Sequence, residues 1–162
     1  MHIRAETVAD HLPIRSVNGA AFPTPDEADL VDRLRGTVAP FLSLVAEDDG
    51  EVVGHILCTP VRAEDHPEAF LMGLAPMAVS PARQREGIGS ALVKAALDAC
   101  RQRGAAGLVV LGHTDYYPRF GFKPAHMYGL RCVYDVPPEV FMAMPLQPGG
   151  LDGVAGLVHY AF

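Results

Sequence analysis

The sequence has no tryptophan and only three cysteines, Cys58, Cys100 and Cys132. They are scattered, odd in number and never spaced C-x-x-C, so they form neither a disulfide framework nor a zinc ribbon. They read as ordinary apolar positions of a chain kept reduced, which places the protein in the cytoplasm. No apolar run approaches ~20 residues, so no membrane-spanning helix is expected. Met1–Glu6 lacks the apolar core of a secretory signal. Positive charge is scarce: 13 Lys and Arg face 19 Asp and Glu, a formal net charge of −6. That balance argues against nucleic acid as a partner, favours a cationic substrate, and leaves any anion to a local concentration of arginine. Repeats, low-complexity tracts and linkers are absent as well. With 49% hydrophobic and 20% charged residues, the chain reads as one domain over residues 1–162.

What is present centres on Phe70–Phe122. A β-prone apolar run, Phe70 to Val79, ends at Ser80-Pro81, and the loop Arg83-Gln84-Arg85-Glu86-Gly87-Ile88-Gly89 follows. Ile88, Leu92, Ala95, Ala96 and Ala99 then recur at helical spacing and define an inward face. Gly104 stops that helix, and Arg101 and Arg103 suit its C-terminal dipole. A second buried-strand run, Gly107–Leu111, completes a βαβ unit whose strands should be parallel.

The loop is suited to an anion. Gly87 and Gly89 allow close backbone approach, and the first-turn amides of the helix point outward with the positive end of its dipole. Arg83 and Arg85 add charge of the same sign. The spacing is not that of a P-loop, and Leu92 stands where a dinucleotide-binding G-x-G-x-x-G would need its third glycine. It does fit Q/R-x-x-G-x-G/A, met by Gln84, Gly87 and Gly89. With Tyr116-Tyr117-Pro118-Arg119-Phe120-Gly121-Phe122 beyond the second strand, this resembles the GNAT superfamily of N-acetyltransferases.

The resemblance implies acetyl-coenzyme A as co-substrate, no metal, and transfer of an acetyl group to the primary amine of a small molecule or protein by direct attack. It implies pyrophosphate contacts from Gln84, Arg85, Glu86, Gly87, Ile88, Gly89 and Ser90. Main-chain contacts to the pantetheine arm would come from Met77, Ala78 and Val79. Tyr117 would be the catalytic acid, with the adjacent Tyr116 as wall or core. Relatives often carry a glutamate on the central strand, and Phe70–Val79 has no acidic residue. Glu68, His113 and Asp115 stay open as bases. His113-x-Asp115 offers two ligands, too few for a metal site. A rival on the same fold is a non-catalytic acyl-coenzyme A-binding module.

Elsewhere the patterns predict a first strand at His2–Ala5, a capping box at Thr7–Asp10, and helical stripes on either side of Thr24-Pro25. A hairpin is expected, Phe41–Glu47 turning at Asp48-Asp49-Gly50 into Glu51–Val61. His55 is expected to be a sheet residue with an ordinary partner, and Arg62–Glu68 a polar connector. Pro76 cannot donate to a ladder, so its strand should be bulged or unpaired there. Leu130–Tyr134, Val140–Met144 and Leu157–Phe162 complete the apolar segments. The fold class is α/β: a GNAT-like mixed twisted sheet with a splayed central parallel pair and helices on both faces. A homodimer is left open.

Overall fold

The computed structural model describes residues 1–162. Nine strands and three helices follow in the order β1 (His2–Ala5), α1 (His11–Ala21), α2 (Asp26–Leu34), β2 (Leu42–Asp48), β3 (Glu51–Ala63), β4 (His66–Val79), α3 (Ile88–Gln102), β5 (Gly107–Leu111), β6 (Lys123–Pro124), β7 (Leu130–Cys132), β8 (Phe141–Pro145) and β9 (Gly156–Tyr160). The strands form one open sheet of mixed direction, as the α/β pattern requires. Packing separates the chain into two compact units, Met1–Cys58 with Ala75–Ala96 and Thr59–Leu74 with Leu97–Phe162.

In the first unit β1 pairs antiparallel with β2, and β2 with β3. The hairpin turns through Asp49 (φ 50°) and Gly50 (φ 81°), both left-handed as a two-residue loop demands. α1 starts before Pro13, which sits in the first turn where its missing N–H costs no ladder bond. Ile14, Val31 and Leu34 from α1 and α2 bury themselves on Val45 and Leu57. Gly54 points to the opposite face of β3, three residues before Leu57, and there meets Leu92 and Ile88 of α3. Helices therefore cover both faces of this hairpin.

The second unit holds the parallel pair. β4 and β5 are in register from Leu71↔Gly107 to Leu74↔Val110, and the ladder stops there although β4 continues to Val79. It ends two residues before Pro76, where no N–H is available. β8 pairs antiparallel with β5, and β6 with β8. β9 pairs parallel with β7 and antiparallel with the last residues of β3. Leu71, Val109, Leu130, Phe141, Leu151 and Val158 form the centre of its core.

Two expectations need correction. Arg62–Glu68 is no connector: β3 runs to Ala63 and β4 begins at His66, a tight hairpin whose exposed outer strands tolerate polar residues. The inward face of α3 is broader than the alanine stripe. Val93, Leu97 and Cys100 are buried with Ile88, Leu92 and Ala96, whereas Ala95 and Ala99 lie at the half-buried margin. Larger side chains took the centre because they bury more apolar area.

His55 does have ordinary partners, in a buried polar relay. Its Nδ1 accepts from the Asn18 amide at 3.0 Å, and the same amide group donates to Ile14 O at 3.0 Å. The proton therefore sits on Nε2, which donates to Ser43 Oγ at 2.9 Å. Ser43 in turn hydrogen-bonds Glu6, which also receives Arg35 Nε at 2.8 Å. Desolvation pushes the His55 pKa down to about 4.

This lowered pKa sets a pH dependence. An unfolded His55 takes up a proton near pH 6.5, while the folded one resists until about 4. Its contribution is complete above 6.5 and is lost as pH falls from there through 4, up to roughly 3 kcal/mol. Urea unfolding of wild type between pH 7 and 4.5 should show stability falling with pH. His55→Gln should be less stable at pH 7 and show a shallower slope; parallel slopes would rule out His55 as the source.

Candidate functional site

The candidate cofactor segment lies wholly in the first unit. β4 ends at Val79, a single 3-10 turn spans Pro81–Arg83, and α3 opens at Ile88. Three contacts fix the course of this segment. Ser80 N–H donates to Val53 O at 2.9 Å, Arg83 N–H closes the turn on Ser80 O at 2.8 Å, and Gln84 Nε2 donates back to Val79 O at 3.3 Å. Val53 is the extra residue of a bulge in β3, where the register passes from Ala46↔Gly54 to Glu47↔Val52. The bulge turns its carbonyl to the start of the loop.

Two left-handed residues shape the rest. Arg85 has φ 65° and Gly87 φ 83°. A Cβ built on Gly87 would meet nothing within 4 Å, so the space before it is open. The first main-chain bond of the helix is Ala91 N–H to Gly87 O at 3.0 Å. The amides of Ile88 and Gly89 precede it and belong to the turn that a helix cannot satisfy from its own carbonyls. Turns of this kind at a helix N-terminus form anion-binding concavities. Gln84, Arg85, Glu86 and Gly87 are exposed, Gly89 and Ser90 half-buried, and Ile88 is buried as an anchor.

The charges are distributed differently from a simple sum over the loop. Arg83 is committed: Nη2 contacts Asp48 Oδ2 at 2.7 Å and Nε contacts Glu86 Oε1 at 3.0 Å. The Arg83 guanidinium holds the Asp48 carboxyl below the usual carboxylate range. Glu86, awkward beside an anion, is thereby turned into an ion pair within the loop. Arg83 serves as a brace between the β2–β3 hairpin and the loop, and Arg85 is the arginine left with no ion pair.

Sequence reasoning missed the three residues that place this loop: Asp48, Val53 and Gly54. Asp48 and Gly50 were legible only as a turn. A Cβ on Gly54 would stand 2.9 Å from Leu92 Cδ1, 3.0 Å from Ile88 Cγ2 and 3.4 Å from Ala78 O. A glycine inside a long strand is the usual sign of close approach, and that signal was available.

Met77 and Val79 are half-buried and Ala78 is buried, all on β4 beyond the end of its ladder with β5. Tyr117 belongs to the second unit, in a 3-10 turn over Tyr117–Phe120, and is buried. Its ring lies against Gly112, where a Cβ would collide with it, and packs edge-on to Phe122 at 5.7 Å between centroids. Tyr116 is half-buried, with the Arg119 guanidinium 4.6 Å from its ring centroid.

The three candidate bases are exposed. Glu68 lies on β4 rather than in a loop, and its own amide, then His66 at 3.4 Å, hold its carboxyl below the usual range, which weakens it as a base. The carbonyl of His113 accepts the amides of Tyr116 and Tyr117, and that of Asp115 accepts Arg119 Nη2. No group of three or more His, Cys, Asp and Glu is assembled for a metal, and no helix is long and apolar enough to cross a membrane.

The model of the acetyltransferase (GNAT) family matches residues 12–122. The chain is 35% identical to the N-acetyltransferase YhbS of Escherichia coli K12 over 99% of its own length and 96% of that protein. It is 38% identical to the N-acetyltransferase YjhQ of the same strain over 90% and 85%. The crystal structure of E. coli YhbS in complex with CoA superposes with a TM-score of 0.92, covering 98% of this chain and 88% of that one. A GNAT family acetyltransferase of Brucella melitensis in complex with acetyl-CoA gives 0.80 at 38% identity, over 98% and 94%.

Gly87→Val tests the loop. Its backbone at φ 83° disfavours any side chain, and two methyl branches would fill the open space before the helix. Acetyl-coenzyme A affinity by calorimetry should fall by roughly tenfold or more. Gly104→Val carries the same strain at φ 85° at the other end of α3 and should keep its affinity. Equal losses in both variants would reduce the loop's role to backbone strain.

Proposed function

Since the chain belongs to the GNAT acetyltransferase family and is an acyltransferase, we propose that it moves the acetyl group of acetyl-coenzyme A to a primary amine by direct attack. The single observation that supports this most is the loop, left-handed at Arg85 and Gly87, that opens onto the N-terminus of α3, in a chain whose relatives are seen with CoA and acetyl-CoA. The acceptor is a small-molecule or protein amine, and the negative balance of the chain favours one that is cationic before it loses its proton.

In this reading the amides of Arg85 to Ser90 hold the pyrophosphate and Gln84 keeps the loop closed on β4. The main chain of Met77, Ala78 and Val79 lies beyond the β5 ladder, so its polar groups are available to hold the pantetheine arm and to polarise the thioester carbonyl. The amine lone pair forms the new C–N bond as the C–S bond breaks. Tyr117, whose phenol O–H is a donor, gives its proton to the departing sulfur. The proton released by the amine passes to water, because Phe70–Val79 offers no carboxylate and Glu68 is a weakened base. No covalent enzyme intermediate is required, and the reaction is assigned to the cytoplasm.

Tyr117→Phe retains the ring against Gly112 and Phe122 but removes the proton. Turnover should fall by on the order of 10² to 10⁴ with acetyl-coenzyme A affinity unchanged, the mark of a contact made only as the thiolate develops. Coenzyme A release with an amine panel, Tyr116→Phe alongside, makes the comparison. Normal turnover by Tyr117→Phe removes its acid role, and collapse of Tyr116→Phe alone moves that role to Tyr116.

A further inference from the structure

A cavity lies within the second unit. It has a volume of about 350 Å³ and is bounded by the stretch from His126 to Phe141. That volume is in the range of small-molecule sites. Its deepest wall is apolar: Leu130 and Phe141 are 1% and 3% exposed and Val136 is half-buried. Its outer residues are not. Arg131 and Asp135 are both exposed, four positions apart in the cavity lining; Arg131 also lies in the field of Glu64, whose carboxyl it helps to hold low.

The wall is aromatic as well: Tyr134, which lines the cavity, stacks on Tyr160 at 5.8 Å.

Charge balance selects among ligands. A purely apolar molecule would cover the wall and leave both charges unused. A lone anion would face Asp135, and a lone cation would face Arg131. We propose that this cavity binds a small zwitterion with an apolar body, of the class of α-amino acids with aliphatic or aromatic side chains. The apolar group sits against Leu130, Val136 and Phe141, the carboxylate faces Arg131, and the ammonium faces Asp135. The cavity is bounded by residues of the second unit alone, and the proposal does not depend on transfer activity.

Ligand-observed NMR on the full chain without coenzyme A tests this, with phenylalanine and leucine as probes. Phenethylamine lacks the carboxylate, 3-phenylpropionate lacks the amine, and glutamate lacks the apolar body. Both amino acids should give saturable binding that coenzyme A does not displace, with the three analogues at least about tenfold weaker. Arg131→Ala should weaken phenylalanine and leave phenethylamine unchanged, and Asp135→Ala should weaken phenylalanine and leave 3-phenylpropionate unchanged. Both positions are exposed, so the variants should fold, checked by circular dichroism. Absence of saturable amino-acid binding overturns the proposal. So does binding indifferent to both substitutions, or displacement by coenzyme A. Unchanged binding by Tyr117→Phe keeps this result independent of the transfer reading.

Discussion

The missing Cβ of Gly54 is the constraint on which the candidate cofactor segment rests. With Ile88, Leu92 and the Ala78 carbonyl all within 3.4 Å of where that atom would be, glycine lets the first turn of α3 settle closely onto β3. The bulge one residue earlier aims the Val53 carbonyl at Ser80 and so starts the loop. Register, helix position and loop path thus meet within two residues of one strand. A methyl group there would press first on the ends of Leu92 and Ile88, which would have to shift by a few tenths of an ångström to admit it.

The local electrostatics follow from the same anchoring. The sequence places two arginines and a glutamate in the loop that is proposed to accept negative charge. Folding removes the conflict by pairing Glu86 with Arg83 and Arg83 with Asp48. Anion recognition is then left to main-chain amides and the helix dipole, which do not titrate. A chain with net charge −6 can hold a pyrophosphate on these terms because the field that matters is set by oriented dipoles a few ångströms away rather than by the sum over the surface.

Much of this was legible in the sequence where local chemistry decides the structure. Gly107–Leu111 is a strand with the bounds its apolar run predicts, Pro76 lies beyond the parallel ladder, and Asp49-Gly50 makes the hairpin turn. Reading failed where tertiary packing decides. The tight turn at Glu64-Asp65 looked like part of a polar connector because exposed strand ends carry the same residues as loops. The helix face was misplaced toward alanines, since periodicity fixes a face only to within a residue or two and burial then favours Val93 and Leu97. Asp48 and Val53 gave no local sign of their role, because it depends on a loop some thirty residues away.

The chemistry proposed here shifts work from side chains to backbone, and the sequence explains why it can. A central strand without a carboxylate supplies no strong base, and the exposed alternatives are either weakened, like Glu68, or use their carbonyls to shape the Tyr117 turn, like His113 and Asp115. Acetyl transfer from a thioester still proceeds if the amine arrives neutral, the carbonyl is polarised by fixed amides, and the thiolate is met by an acid. Of these three, the first depends on solution pH and the acceptor, the second on strand geometry, and only the third on a single side chain. Tyr117, the acid proposed, is packed on Gly112, where any larger residue would collide with its ring. The ring position is thereby set by main chain as well, so both the amides and the acid of the proposed reaction are held by positions where a side chain has been left out.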